Sequence, residues 1–472
     1  MLLDEVLLDI FDFCRMMHYN YPSRPPHPVW DWHILAHVCR RWRQVIFESP
    51  HRLNLRIFCT YRTPVRKNLG IWPAFPIVLE LYSRTSLNPQ DESNFITALE
   101  HRDRVYSVRL YTTGSQLAKL AAVMKEPFPV LTHLYMRSRD VKAPVLTAEF
   151  LGGSTPHLQE ITLYRIPFPA LPMLLLSTSD LVTLNLFQIP VPGYISPERM
   201  VACLAALPKL ETFAIRFQLF PPRPDRIRPP PVTRPVLPAL TLFSFRGAFE
   251  YLENLVIQID SPKLEQISII YLDPPHDFQV TQLSEFIDRS IGPGLTPSRR
   301  AHVHFHFDQV TFTLSREYPR ASYQGSDRRA VATSILIEAF DCDMPEVARV
   351  LSQFSAALCT VLHLELEAQL DEGDLSNDTY NVEWLHLLRK FRAMQMLHVS
   401  HELAAPVFLA LEDITAEMVT QVFPSLGLIF LEGEPASSLE KIVAIRRSSE
   451  CPITAVETID EFNERLDSYV SK

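Results

Sequence analysis

The feature that most constrains this chain is a short apolar pattern that recurs between residues 105 and 269. The pattern is L-x-x-L-x-L, often with a proline two residues before its first position. Alternation at the end of the pattern is typical of a strand that buries one face. The starts lie 23 to 30 residues apart, which leaves room for one connecting segment per strand. Seven copies begin at Val105, Leu131, Leu158, Leu181, Leu210, Leu240 and Leu264.

Intervals of this size are close to the roughly 20–29 residues of leucine-rich repeats, which predicts a stack of repeats. After residue 275 the phase is lost in GPGLTPS and one alternating strand, AHVHFHFDQVTFTL. It returns in CTVLHL, MQMLHV and LGLIFL. We therefore predict an α/β solenoid, an irregular leucine-rich-repeat-like horseshoe. The alternative is that the strands belong to βα units of a closed α/β domain.

The residues before the repeats predict a small helical unit. Two series of apolar residues at helical spacing are separated by a proline-rich loop, YPSRPPHPVW. A unit of about fifty residues cannot bury all of its apolar surface alone. The first series contains Val6, Leu7, Ile10 and Phe11, and the second contains Leu35, Val38, Cys39 and Trp42.

The segments LLDEVLLDIF and WHILAHVCRRWRQVIFESP resemble the F-box, in which an L-P-x-E-[IV]-L-x-x-I-F helix precedes L-x-x-V-C-[RK]-x-W. The match covers residues 2–50, with a long spacer in the manner of fungal F-box families, and Leu3 stands where the family usually has proline. The resemblance implies a three-helix F-box that docks on a Skp-family adaptor through Leu3 and the two apolar series. The alternative is a generic helical cap on the repeats.

The chain is accordingly divided into an F-box (1–50), a connecting segment with a first strand or cap (51–100), leucine-rich-repeat-like repeats (101–275), and an irregular middle with further repeats and an acidic C-terminal cap (276–472). The function that the resemblance implies is that of a non-catalytic substrate receptor of an SCF-type ubiquitin ligase, attached to the cullin-RING core. The alternative function is a leucine-rich-repeat scaffold that engages no ubiquitin ligase.

Several classes of function have no support in the sequence. Glycine is scarce, at 12 residues, and no catalytic or phosphate-binding motif is present, so we expect no enzyme and no cofactor. Lysine and arginine are not clustered, which argues against nucleic-acid binding. Seven scattered cysteines without a CxxC pair, and the absence of a signal peptide or a long apolar run, predict a cytoplasmic or nuclear protein with no membrane partner.

The exposed side of the predicted strands offers a site for an unknown protein target. The leucines of L-x-x-L-x-L point inward, so the residue after the last one stands on the open face. In the first six copies these residues are all aromatic or arginine, the types enriched at interface hot spots, and they suit an acidic or phosphorylated segment. The alternative is that long side chains only cover neighbouring apolar surface. The column consists of Tyr111, Arg137, Tyr164, Phe187, Arg216 and Arg246.

A candidate metal site is suggested by His302, His304, His306 and Asp308, because residues two apart on a strand share one face. A half-exposed strand produces the same pattern, with Val303, Phe305 and Phe307 on the buried face, and we favour this interpretation and expect no bound metal. The Pro/Arg segment at 221–235 is interpreted as a loop insertion between repeats.

Overall fold

The computed structural model describes residues 3–19, 32–50, 52–60, 65–83, 87–140, 142–218, 231–272, 279–290, 299–306, 309–315, 333–340, 344–369, 381–412, 424–433, 440, 443–444, 452–456, 461–462 and 465. Two compact units, Met1–Leu181 and Val182–Lys472, make up the chain, so their boundary falls inside the section 101–275. No helix among the described residues is both long enough and apolar enough to cross a lipid bilayer.

The first unit begins with three helices and continues as a parallel sheet with strand order β1-β2-β3-β4-β5. Parallel neighbours need a crossover between them, and α4, α5, α6 and a short 3₁₀ turn supply it. The helices are α1 Asp4–Tyr19, α2 Trp32–Val38, α3 Arg40–Glu48, α4 Val65–Ile71, α5 Pro89–Glu100, α6 Gly114–Val123 and α7 Leu171–Leu176; the strands are β1 Ile57–Thr60, β2 Ile77–Tyr82, β3 Val105–Thr112, β4 His133–Ser138 and β5 Glu160–Tyr164.

The second unit contains strands in the order β6-β7-β8-β9-β12-β11-β10-β13-β14-β15-β16. All neighbours are parallel except β11, which runs antiparallel to both β10 and β12. The strands are β6 Thr183–Ile189, β7 Thr212–Phe217, β8 Leu242–Gly247, β9 Gln266–Tyr271, β10 Arg300–Phe305, β11 Gln309–Ser315, β12 Thr333–Phe340, β13 His363–Ala368, β14 Met396–Val399, β15 Leu428–Leu431 and β16 Thr454–Ala455. The helices are α8 Pro197–Ala205, α9 Phe249–Val256, α10 Thr281–Ser290, α11 Met344–Leu351, α12 Ser355–Leu358, α13 Asn381–Leu388 and α14 His401–Glu412.

The cores of both units lie between the sheet and its crossover helices. In β3 the residues Val105, Val108 and Leu110 are fully buried, and Leu117 and Leu120 of α6 are buried as well. Each such side chain contributes about 1.5–3 kcal/mol when it is removed from water. The apolar phase in the sequence therefore marks the side of each strand that the helices cover.

The predicted fold class, a three-helix F-box followed by an irregular leucine-rich-repeat-like horseshoe, is wrong. The described residues instead form an α/β fold with 16 mostly parallel strands in the two units together. The pattern L-x-x-L-x-L does mark the start of strands, but a strand with one face under a helix produces it whether or not the unit repeats.

The middle section after residue 275, expected to be irregular, contributes strands to the sheet where the structure describes it. The segment AHVHFHFDQVTFTL forms two antiparallel strands, β10 and β11, and not the single alternating strand predicted. A hydrogen bond of 2.8 Å from the His306 amide to the Gln309 carbonyl closes the hairpin. Apolar residues alternate along both strands of an antiparallel pair, so the pattern alone does not reveal the reversal.

Gly114, the first residue of α6, offers a stability test. Its amide donates a hydrogen bond of 2.7 Å to the Asp140 carboxylate, and a Cβ at this position would collide with the Lys142 carbonyl. We expect Gly114→Ala to lower the free energy of unfolding by about 1–3 kcal/mol, because the backbone must move to make room.

The matched control is Gly70→Ala in α4, where no atom lies within 4 Å of the added methyl group. It is expected to raise stability by about 0.5–1 kcal/mol, since alanine is the better helix former. Urea denaturation followed by circular dichroism measures both variants. Equal stability of the two variants would contradict the crowding at Gly114.

Candidate functional site

The inner side of the N-terminal helices is anchored to the sheet of the first unit by Trp32. Its side chain is fully buried and meets Phe47, Trp72 and Phe75 edge-on, with ring centroids 4.9–6.1 Å apart. The indole N–H donates a hydrogen bond of 3.0 Å to the Arg56 carbonyl, just before β1. The helices therefore cover the end of the sheet, as a cap would.

Helix α1 lies against α3 through a small apolar contact. Phe11 is fully buried, and its ring meets Trp42 edge-on at 5.0 Å. An ion pair of 2.7 Å between Asp4 and Arg41 ties the start of α1 to α3. Cys39 is the N-cap of α3, where its sulfur accepts a hydrogen bond of 3.4 Å from the Trp42 amide.

The outer side of these helices is apolar and exposed. Leu3 is 70 % exposed and Val38 is 56 % exposed, although both are large aliphatic residues. On α1 the exposed residues follow a stripe at steps of three and four, which places them on one face. We call this surface the outer apolar face; its six exposed apolar side chains are Leu3, Val6, Ile10, Phe13, Ile34 and Val38.

The residues predicted to bind the adaptor thus divide into three groups. Leu3, Val6, Ile10, Val38 and Cys39 are exposed; Leu35 and Trp42 are half-buried; Leu7 and Phe11 are buried inside the helical unit. Phe13 and Ile34 were not predicted from the sequence. The step of three from Ile10 to Phe13 was the available signal for the first of them.

The open face of the first unit brings three predicted target-binding residues together. The parallel register places Tyr111, Arg137 and Tyr164 side by side on β3, β4 and β5. The guanidinium carbon of Arg137 lies 4.9 Å from the ring centroid of Tyr111 and 4.2 Å from that of Tyr164. Tyr82 extends the row on β2, with its ring 6.4 Å from that of Tyr111. Arg137 is thus held between two aromatic rings with its charge toward the open face.

A second group of cationic and aromatic side chains lies on the same unit. The guanidinium of Arg56 lies 3.9 Å from the ring centroid of Tyr106, and that ring lies 5.6 Å from His133. Arg109 contributes another cation, 3.9 Å from the buried carboxylate of Glu80. These residues were not predicted from the sequence, because they do not follow the last leucine of a motif.

The second unit holds the other three predicted target-binding residues. Arg216 lies 5.2 Å from the ring centroid of Phe187 and donates two hydrogen bonds, of 2.8 and 3.1 Å, to the Ser244 hydroxyl. Arg246 is its register partner on the next strand. The Nε of Arg246 is buried and has no hydrogen-bond acceptor among the described residues.

The histidine strand differs from the solvated face favoured from the sequence. His304 is only 4 % exposed, and His302 and His306 are half-buried, so both faces of β10 are covered. His302 Nε2 lies 2.9 Å from the carboxylate of Glu367 on the neighbouring strand β13. Phe307 and Asp308, which complete the predicted pattern, lie outside the described residues.

Beside His302, Glu365 is the centre of a buried polar cluster. Its carboxylate pairs with Arg300 and lies 3.4 Å from His398 Nδ1. Burial alone would raise the pKa of Glu365, but the hydrogen bond from His398 and the charge of Arg300 hold it well below its usual range. Burial alone would lower the pKa of His398, but the carboxylates of Glu365 and Glu432 raise it.

The Pro/Arg segment 221–235 falls mostly outside the described residues. A cavity of about 30 Å³ bordered by Val310, Phe312 and Ile337 has room for about one water and not for a substrate.

Comparison of the sequence with models of known protein families found no match, and comparison with curated proteins found no significant relative. Function is therefore inferred from the sequence resemblance and from the surfaces described above.

Proposed function

We propose that this chain is a non-catalytic substrate receptor of an SCF-type ubiquitin ligase. Its N-terminal segment, residues 2–50, would dock on the Skp-family adaptor, and its sheet would hold a protein target. In this role it performs no chemistry, needs no cofactor and acts in the cytoplasm or nucleus. Nucleic acids and membranes are not among its proposed partners.

The outer apolar face is the observation that carries the proposal. It lies within the segment that resembles an F-box, and its side chains are exposed, whereas Trp32, which holds the helices to the sheet, is fully buried. Covering one such side chain contributes about 1.5–3 kcal/mol, so six can offset the entropic cost of association. A helical cap that has no partner gains no stability from leaving these apolar side chains exposed.

Leu3, which replaces the usual proline of the motif, is compatible with docking. Its carbonyl accepts a hydrogen bond of 3.1 Å from the Leu7 amide, so Leu3 stands at the start of α1. A proline is tolerated there because its missing N–H would be unpaired in the helix. Leucine keeps an apolar side chain at this position, 70 % exposed, and adds to the surface available to the adaptor.

Co-expression of the full chain with a Skp-family adaptor tests the proposal directly. We expect one complex that stays together through affinity purification and gel filtration. If the folded chain elutes without the adaptor, the proposal fails and the alternative of a scaffold outside the ubiquitin ligase takes its place. The Trp32 contacts, which fix the helices to the sheet, favour that second function.

The target is proposed to bind the open strand faces through an acidic or phosphorylated segment. Arg137 offers a cation between two tyrosines in the first unit, and Arg216 and Arg246 offer a pair of cations in the second. Guanidinium groups bind carboxylates and phosphates with paired hydrogen bonds, and aromatic neighbours add stacking.

Changing Arg137, Arg216 and Arg246 together to alanine is expected to reduce target capture at least about tenfold, because each charge-assisted hydrogen bond contributes about 1.5–3 kcal/mol. Adaptor binding should persist. Proximity labelling identifies targets, and pull-down compares the variants.

The control is Arg102→Ala, which removes a surface arginine outside the predicted column, paired with Glu126 at 3.4 Å. It should leave target capture unchanged. Undiminished capture by a folded triple variant would place the target site elsewhere, with the segment 221–235 as the next candidate.

A further inference from the structure

We propose that His302, Glu365 and Glu367 form a binding site for a divalent transition-metal ion of the zinc class. One imidazole nitrogen and two carboxylate oxygens lie within 4.8 Å of one another on adjacent strands. Donors about 2.0–2.2 Å from a shared ion lie at most about 4.4 Å apart, so small side-chain rotations would bring all three to one ion. This site reverses the expectation of no bound metal drawn from the sequence; it goes beyond the proposed function and does not depend on it.

The register of β10 and β13 fixes the donor positions. His302 is the direct neighbour of Glu365, and Glu367 stands two residues further along the same strand. Residues two apart share one face, so all three donors point to the same side of the sheet. Because they stand on paired strands and not on loops, the ion would find a largely preformed site.

The charge of the site suits a cation. Glu365 and Glu367 bring two carboxylates together, the first buried and the second half-buried, and His302 Nε2 lies 2.9 Å from a Glu367 oxygen. The ring of His304 lies 5.7 Å from that of His302 and brings a second imidazole near the site.

The donor set selects the kind of ion. A mixture of imidazole and carboxylate ligands suits Zn²⁺ and its transition-metal neighbours, whereas Mg²⁺ and Ca²⁺ prefer oxygen ligands alone. His302 and Glu367 keep part of their side-chain surface exposed, at 19 % and 38 %, so water can reach the fourth position.

Arg300 competes with a metal ion for this site. Its guanidinium pairs with the Glu365 carboxylate and already supplies a positive charge to the cluster. A metal ion must share or displace that pair, which weakens binding. Replacement of Arg300 by methionine removes the competing charge while keeping an apolar stem, and should therefore strengthen metal binding.

The test is Zn²⁺ binding to the full chain after chelator treatment, measured by calorimetry and by elemental analysis. We expect about one Zn²⁺ per chain. Glu367→Gln and His302→Asn should each weaken binding at least about tenfold, and Arg300→Met should tighten it.

The control is His157→Ala, which removes another histidine-carboxylate pair, His157 with Asp180 at 3.4 Å. It should leave zinc binding unchanged. Glu367→Gln alters a partly exposed side chain, so it remains informative if His302→Asn does not fold. Equal zinc uptake by the wild-type chain and Glu367→Gln, or none by either, would overturn the proposal and leave an ion-pair network without metal.

Discussion

Replacing Ile10 and Val38 together by aspartate is expected to weaken binding to a Skp-family adaptor at least about a hundredfold, or about 2.7 kcal/mol. The two side chains are 40 % and 56 % exposed, so the folded chain does not need them for its core. In the proposed complex each is buried against the adaptor, where a carboxylate would lose its water without gaining a partner. Surface plasmon resonance with the purified adaptor measures the change.

A matched double variant is available on another exposed apolar surface of the same unit. Met173 and Leu176 of α7 are 63 % and 59 % exposed, and their replacement by aspartate changes the charge and hydropathy in the same way. Adaptor binding should be unchanged in this control. If both double variants bind like the wild-type chain, the outer apolar face is not the docking surface.

Trp32→Ala is expected to destabilise the first unit by about 3–5 kcal/mol. The side chain is fully buried and surrounded by Phe47, Trp72 and Phe75, so its removal leaves a cavity lined by aromatic rings. The hydrogen bond to the Arg56 carbonyl is lost as well. Urea denaturation of the full chain, followed by circular dichroism, measures the free energy of unfolding.

Ile34→Ala in the same helix is the control, since Ile34 is 63 % exposed. Surface substitutions of this kind usually change stability by less than about 0.5 kcal/mol. A small effect of Trp32→Ala, similar to that of Ile34→Ala, would show that the helices are not anchored through this tryptophan.

These two predictions separate the two sides of the N-terminal helices. Trp32 lies on the side that joins the sheet, and Ile10 and Val38 lie on the side that faces solvent. If the helices are a cap that no longer docks, Trp32→Ala still destabilises the first unit. The double change Ile10→Asp and Val38→Asp then has no effect on adaptor binding. The pair of experiments therefore distinguishes the receptor from the scaffold.

Helical spacing identified apolar residues at the N-terminus but could not say which of them face a partner. Leu7 and Phe11 lie in the same series as Val6 and Ile10, yet the first two are buried, Phe11 against Trp42 of α3, and the last two are exposed. An amphipathic stripe is wider than one contact, and the position of the neighbouring helix decides which part of it is covered.

The sequence by itself determined where most strands begin and which of their residues are buried, because alternating side chains on a strand obey local geometry. It also determined that Tyr111, Arg137 and Tyr164 would be neighbours. They occupy the same position in successive copies of the pattern, and such positions lie side by side on adjacent parallel strands. Only the tertiary structure decided the direction of β11 and the pairing of β10 with β13. Those pairings bring His302 to Glu365 and Glu367, more than sixty residues away in the chain. Side-chain alternation is the same in parallel and antiparallel strands, so hydrogen bonding between distant segments, and not local pattern, fixes that site.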